Sequence, residues 1–117
     1  MALADPQTLT VNSVAKSLAR VETAGTRSVY KTADEVFQLI VSHAESKGRT
    51  RRMVRVDQRV VAANPLDSTN EYKSLGVYFV VDEPEYGFSD TEIGYVWTAL
   101  KALADSTFLN KVLGAEH

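Results

Sequence analysis

The sequence contains no cysteine, so neither a disulfide framework nor a zinc site built on thiolates is available to it. No apolar stretch approaches the roughly 18 residues needed for a membrane span. The opening "MALADPQTLT" has neither a basic leader nor a long apolar core and is not expected to be a signal peptide. Histidine occurs only twice, at His43 and at the last residue, His117. There is no glycine-rich phosphate loop, no nucleophile elbow and no metal-ligand spacing. These absences point away from an enzyme, a cofactor or a metal. His43 reads as a strand-end residue rather than a catalyst.

The charge is unevenly distributed. "KGRTRRMVRVDQR", Lys47 to Arg59, holds six of the thirteen basic residues and one acid, Asp57. Its local charge is +5, which leaves −7 for the rest of a chain whose total is −2. Asp82, Glu83, Glu85, Asp90 and Glu92 form a stretch with no basic residue among them. A bipolar molecule is expected, with one basic and one acidic surface. Distribution of this kind says more about partners than the net charge does.

The 117 residues suit a single domain, 1–117, with a thin core. "QTLTV" and "VAKSLARVE" read as a hairpin turning at Asn12-Ser13. "RSVYKT" is a third strand, "EVFQLIVSHAE" a fourth, "RTRRMVRVDQRVV" a fifth and "KSLGVYFVVD" a sixth. The segment "NPLDSTNEY" carries the strongest loop signals. From Ser89 the period changes to helical, with Ile93, Val96, Trp97, Leu100, Leu103 and Ala104 on one stripe. Ser89 or Asp90 can accept from the free amides of the first turn, and Ser89 and Glu92 have the spacing of a capping box. A second short helix, "TFLNKVLG", stops at Gly114. Six strands followed by two helices define an antiparallel α+β fold, with the helices on one sheet face.

Strand parity assigns the basic segment a chemistry. Successive side chains alternate faces, so Arg51, Met53, Arg55, Asp57 and Arg59 share one face and Arg52, Val54, Val56, Gln58 and Val60 the other. A two-residue turn at Lys47-Gly48 pairs Ser46 with Arg49. Further out it sets Val41 against Val54, Leu39 against Val56, Ile40 against Arg55, Ser42 against Met53 and Gln38 against Asp57. The apolar faces then coincide, as a half-buried sheet requires. On the sixth strand Leu75, Val77, Phe79 and Val81 take the apolar face, while Tyr72, Ser74, Gly76, Tyr78 and Val80 take the other. The polar face is left uncovered. Guanidiniums that fork onto phosphate, beside rings that stack on bases, suit single-stranded RNA. The competing reading is an ordinary solvated face of an antiparallel sheet. A cellular β-sheet RNA-binding regulator and a purely structural dimerisation module also fit these residues.

Taken in order, the N-terminal hairpin "TLTVNSVAKSLARV", the central "LIVSHAESKGRTRRMVRVDQ" with its run "VRVD", and the ending "DTEIGYVWTALKALADSTFLNKVLG" resemble the coat proteins of small single-stranded RNA bacteriophages, the leviviruses. The resemblance covers essentially the whole chain. It implies an interlocked homodimer whose sheets join edge to edge, with each subunit's helices over the partner's sheet. It implies an icosahedral capsid, assembled in the cytoplasm of a bacterial host, and therefore a virion component. The partner it implies is viral RNA with hairpins, one serving as translational operator, bound on the inward sheet face. By position it assigns RNA contact to Arg51, Met53, Arg55 and Asp57, with Arg59 on the same face, to Ile40 and Ser42, and to Tyr72 or Tyr78. Pro65 to Glu71 matches the family's loop around the symmetry axes. The acidic "DEPEYGFSD" departs from the family and is expected to face outward, away from RNA.

Overall fold

The computed structural model describes Leu3 and residues 5–67 and 69–117. Six strands, β1 (Gln7–Val11), β2 (Val14–Ala24), β3 (Arg27–Lys31), β4 (Phe37–Ser46), β5 (Arg49–Ala63) and β6 (Asn70–Pro84), precede α1 (Asp90–Leu103) and α2 (Ser106–Leu113). Every strand lies beside its sequence neighbours, giving a six-stranded meander. Antiparallel six-strand sheet and two C-terminal helices are as the sequence predicts.

The turns explain why the chain reverses where it does. Asn12 and Ser13 have φ of 51° and 64°, and Lys47 and Gly48 have 52° and 74°. Consecutive left-handed residues make the tight turns whose twist matches that of flanking strands. The β4–β5 ladder has the expected register: Ser46 pairs with Arg49, Val41 with Val54, Ile40 with Arg55 and Gln38 with Asp57. Between β3 and β4, Asp34 Oδ1 accepts from the Thr32 hydroxyl at 2.6 Å and from the Val36 amide at 3.1 Å. Those two bonds, the hydroxyl's first, hold the Asp34 carboxyl below its ordinary value. A carboxyl with a lowered folded-state pKa contributes stability above its unfolded value and loses it as pH falls through the folded one. Acid titration is therefore expected to loosen this turn below the ordinary carboxylate range. In Asp34→Ala that acid-dependent step should be missing from the amide exchange of Val36.

The β5–β6 connection is tighter than the sequence suggests. The expected loop Pro65 to Glu71 is corrected: β5 runs to Ala63, and Asn70 and Glu71 already belong to β6. The Asn64 amide donates to the Thr69 carbonyl at 2.7 Å, closing the turn. Inside it, Asn64 Oδ1 accepts from Leu66 N and Asp67 Oδ1 from Thr69 N, two Asx turns that consume the loop-forming residues locally. Ser68, part of the same expected loop, lies outside the described residues.

The chain forms two compact units, one ending at Glu83 and one spanning Pro84–His117. In the first, the core lies at the β1–β4 end of the sheet. Leu18 and Tyr30 are fully buried with Phe37, and Leu9, Val11, Val36 and Leu39 pack against them. The Tyr30 hydroxyl is satisfied by the Arg20 guanidinium, which donates through Nη2 at 2.8 Å. At the other end, the same apolar parity is open: Val60, Leu75 and Val77 are exposed, Val77 by 65%. Val54 and Val56, on the apolar parity of β5, are half-buried.

In the second unit, Ser89 caps α1 by accepting from Glu92 N at 3.2 Å, and Asp105 caps α2 by accepting from Phe108 N at 2.9 Å. α2 stops at Gly114 as the sequence predicts, but the left-handed residue lies beyond the glycine. Gly114 has an ordinary φ of −83°, and the left-handed residue is Ala115 at 65°. Ala115 N donates to Val112 O and Glu116 N to Lys111 O, the paired bonds of a Schellman ending displaced one residue past the glycine. Neither helix has a buried residue, and Leu100, Leu103, Phe108, Leu109 and Val112 are all exposed.

Candidate nucleic-acid interface

The ladder register sets Arg51, Met53, Arg55 and Asp57 opposite Ala44, Ser42, Ile40 and Gln38 on one side of β4 and β5. From β6, Tyr78 lies under the Arg55 guanidinium at 5.2 Å and Tyr72 under that of Arg59 at 4.5 Å. Both tyrosines therefore share the face of the basic row, and each is more than half exposed. Choosing between them was not possible from spacing; the geometry gives each its own arginine.

Arg55 is held from two sides. Its Nε donates to Asp57 Oδ1 at 2.8 Å, and the hydrogen bond and charge of Asp57 raise its pKa further above an already high ordinary value. Gly76 supplies the clearance. A methyl group there would sit 2.7 Å from Arg55 Nη2 and 2.9 Å from Asp57 Oδ1. The missing side chain lets the ion pair lie flat across β6. Asp57 thus acts as the charge partner of Arg55.

The bipolar picture needs correction. Arg49 Nε donates to Asp82 Oδ1 at 3.0 Å, and Arg52 Nε to Glu83 Oε1 at 2.7 Å. Asp82 and Glu83 are the end of β6, not part of a separate acidic pole, and they compensate the beginning of the basic strand. Arg52 also reaches His43 Nδ1 at 3.0 Å, so that ring nitrogen accepts from the guanidinium. Of the six cations from Lys47 to Arg59, Lys47, Arg51 and Arg59 form no salt bridge among the described residues. Composition could not reveal this sorting, because it depends on which β6 residue lies beside which arginine.

One basic residue escaped the sequence reading. Lys31 pairs with Gln38 in β3–β4, as Gln38 pairs with Asp57, so Lys31 extends the polar row by a strand. Its signal was the parity of β3, visible once β3 is registered on β4. Among the described residues no group of acidic, histidine or cysteine side chains is arranged to hold a metal, and no helix is long and apolar enough to cross a membrane.

The family profile of the phage phiCb5 coat protein matches residues 4–84, the whole sheet. The chain belongs to that coat protein family. No curated protein matches it. The coat protein's fold is similar to those in the virus-like particle of bacteriophage AVE019 (TM-score 0.78, 13% identity, 93% of each chain covered) and of Beihai levi-like virus 21 (TM-score 0.75, 14% identity, 99% of this chain and 98% of that one). It is likewise similar to the virus-like particle of bacteriophage NT-214 (TM-score 0.70, 13% identity, 98% of each chain covered). At such identities the sequence has drifted far while the order of elements persists. The coat protein is a capsid protein of a bacteriophage.

Proposed function

We propose that the coat protein forms an interlocked dimer, assembles into a closed icosahedral shell and binds single-stranded viral RNA, an operator hairpin included, on the inward sheet face. The virus-like particles of its structural neighbours support shell assembly. This reading makes the protein a virion component, assembled in the bacterial cytoplasm, with itself and the RNA as partners and no catalytic role. The observation that carries RNA binding is the pair of arginine–tyrosine stacks, Arg55 on Tyr78 and Arg59 on Tyr72, beside Arg51 on one exposed face. Cations bind phosphate and the rings offer stacking platforms. The dimer reading rests on the exposed apolar residues of β5–β6 and, separately, on those of both helices, which one chain leaves in water. Met53, Ile40 and Ser42 serve as apolar and hydroxyl contacts beside the Arg55 stack, on its Arg51 side.

Salt titration of hairpin binding tests the site. Arg59 has no carboxylate partner among the described residues, so Arg59→Ala is expected to cost about 1–3 kcal/mol and to reduce the slope of log affinity against log salt by roughly 0.7. Arg55 is already neutralised by Asp57. Arg55→Ala should weaken binding by exposing the Asp57 carboxylate while changing the slope much less, and Arg55→Ala with Asp57→Ala should recover most of the loss. Arg52, on the opposite parity and paired with Glu83, is the control. Equal slopes and losses for Arg52→Ala and Arg59→Ala would reduce the interface to bulk charge.

A further inference from the structure

Beside the stacks is a depression of about 250 Å³ whose lining includes Lys31, Glu35, Gln38, Arg55, Asp57 and Arg59. It is smaller than the roughly 300–1,000 Å³ of drug-sized sites, and it is open on the face assigned to RNA. Lys31, Gln38 and Asp57 form one cross-strand row, so an ammonium, an amide and a carboxylate stand side by side. Arg59, flat on Tyr72 at 4.5 Å, supplies a planar rim.

Resting on the RNA-binding reading, we infer that this depression is a subsite for one unpaired guanine base, selected by the Asp57 carboxylate. An ionised carboxylate only accepts, at about four positions, and Arg55 Nε occupies one of them on Oδ1. Of the four RNA bases, only guanine carries two neighbouring ring-edge donors, N1–H and the N2 amine. Adenine, cytosine and uracil each place a single donor group there, beside acceptors that a carboxylate repels. The remaining guanine edge, O6 and N7, accepts, and the Lys31 ammonium and the Gln38 amide nitrogen donate. A base held in this way can stack its face on the Arg59 guanidinium. The Arg55 ion pair then has a second purpose: it fixes the carboxylate before the base arrives, and Gly76 provides the room for that arrangement.

Fluorescence anisotropy on the purified coat protein tests this with nine-nucleotide RNAs: all-uridine, and the same strand with one central guanosine, inosine or adenosine. The single guanosine should tighten binding about tenfold over uridine or adenosine, the discrimination of a bidentate base contact. Inosine, lacking the N2 amine, should fall between. Asp57→Asn should bind all four alike, the guanosine strand more weakly than wild type does, and the uridine and adenosine strands as well or better because a negative charge is gone. Gly76→Ala, which alters no charge, should also lower the guanosine preference. If wild-type protein binds all four strands equally, the guanine subsite is wrong and the RNA interface stands. Guanosine preference surviving in Asp57→Asn would likewise overturn it. If no strand binds, the RNA-binding reading fails and the subsite with it.

Discussion

Val77→Asp is expected to abolish the coat protein dimer. In the single chain Val77 is 65% exposed, on the apolar face of β6 with Leu75. A chain that functioned alone would tolerate a carboxylate there within about 0.5 kcal/mol. If a partner's helices cover that face, the substitution buries an unpaired charge, which costs several kcal/mol. Leu100 and Leu103 on α1 and Phe108 on α2 are exposed as well, and in the proposed interlocked dimer they are the surface that a partner would lay on that face. Sedimentation velocity should therefore show the dimer replaced by monomer or aggregate in V77D. A dimer population equal to wild type would mean that the β6 face is solvated in the assembly, and the interlocked arrangement would have to be abandoned.

Leu18→Ala should destabilise the fold by about 3 kcal/mol, within the range for emptying a buried leucine site. Leu18 has no exposed surface and joins β2 to Tyr30 of β3 and Phe37 of β4. Three strands therefore lose contact atoms together, and the small core has little other apolar volume with which to fill the gap. Leu66, 94% exposed on the β5–β6 turn, is the comparison, and Leu66→Ala should leave stability within about 0.5 kcal/mol of wild type. Urea denaturation followed by circular dichroism measures both. Similar midpoints for Leu18→Ala and wild type would show that the β1–β4 cluster does not anchor the sheet.

Much of this was legible in the residues. Alternation with a period of two, interrupted at Asn12-Ser13 and Lys47-Gly48, defined the hairpins, and the coincidence of apolar faces fixed the β4–β5 register before any coordinates. Helix starts were legible because a capping serine and its spacing to Glu92 are local signals. What was not legible depended on neighbours distant in sequence. The pairing of Asp82 with Arg49 and Glu83 with Arg52 spans more than thirty positions, so the acidic stretch looked like an independent surface. The loop after Asn64 looked long because Asn, Asp, Ser and Pro signal turns without specifying their length; the Asx bonds of Asn64 and Asp67 shortened it. Lys31 was overlooked because its face is defined only through Gln38 on the next strand. The site residues Arg51, Arg55, Asp57, Arg59, Tyr72 and Tyr78 do fall on one face, but the room that the Arg55–Asp57 pair takes over β6 depends on Gly76, a neighbour distant in sequence.

The central claim is that this coat protein builds a shell around RNA held by the arginine–tyrosine face. The most direct test is to treat protein purified from expressing bacteria with nuclease, isolate any particles by size, and extract and quantify the RNA inside. Closed particles with protected RNA are expected from wild type, and particles depleted of RNA from a combined Arg51→Ala, Arg59→Ala variant. Wild-type protein that forms no particles, or particles equally filled with RNA when both arginines are gone, would contradict the account.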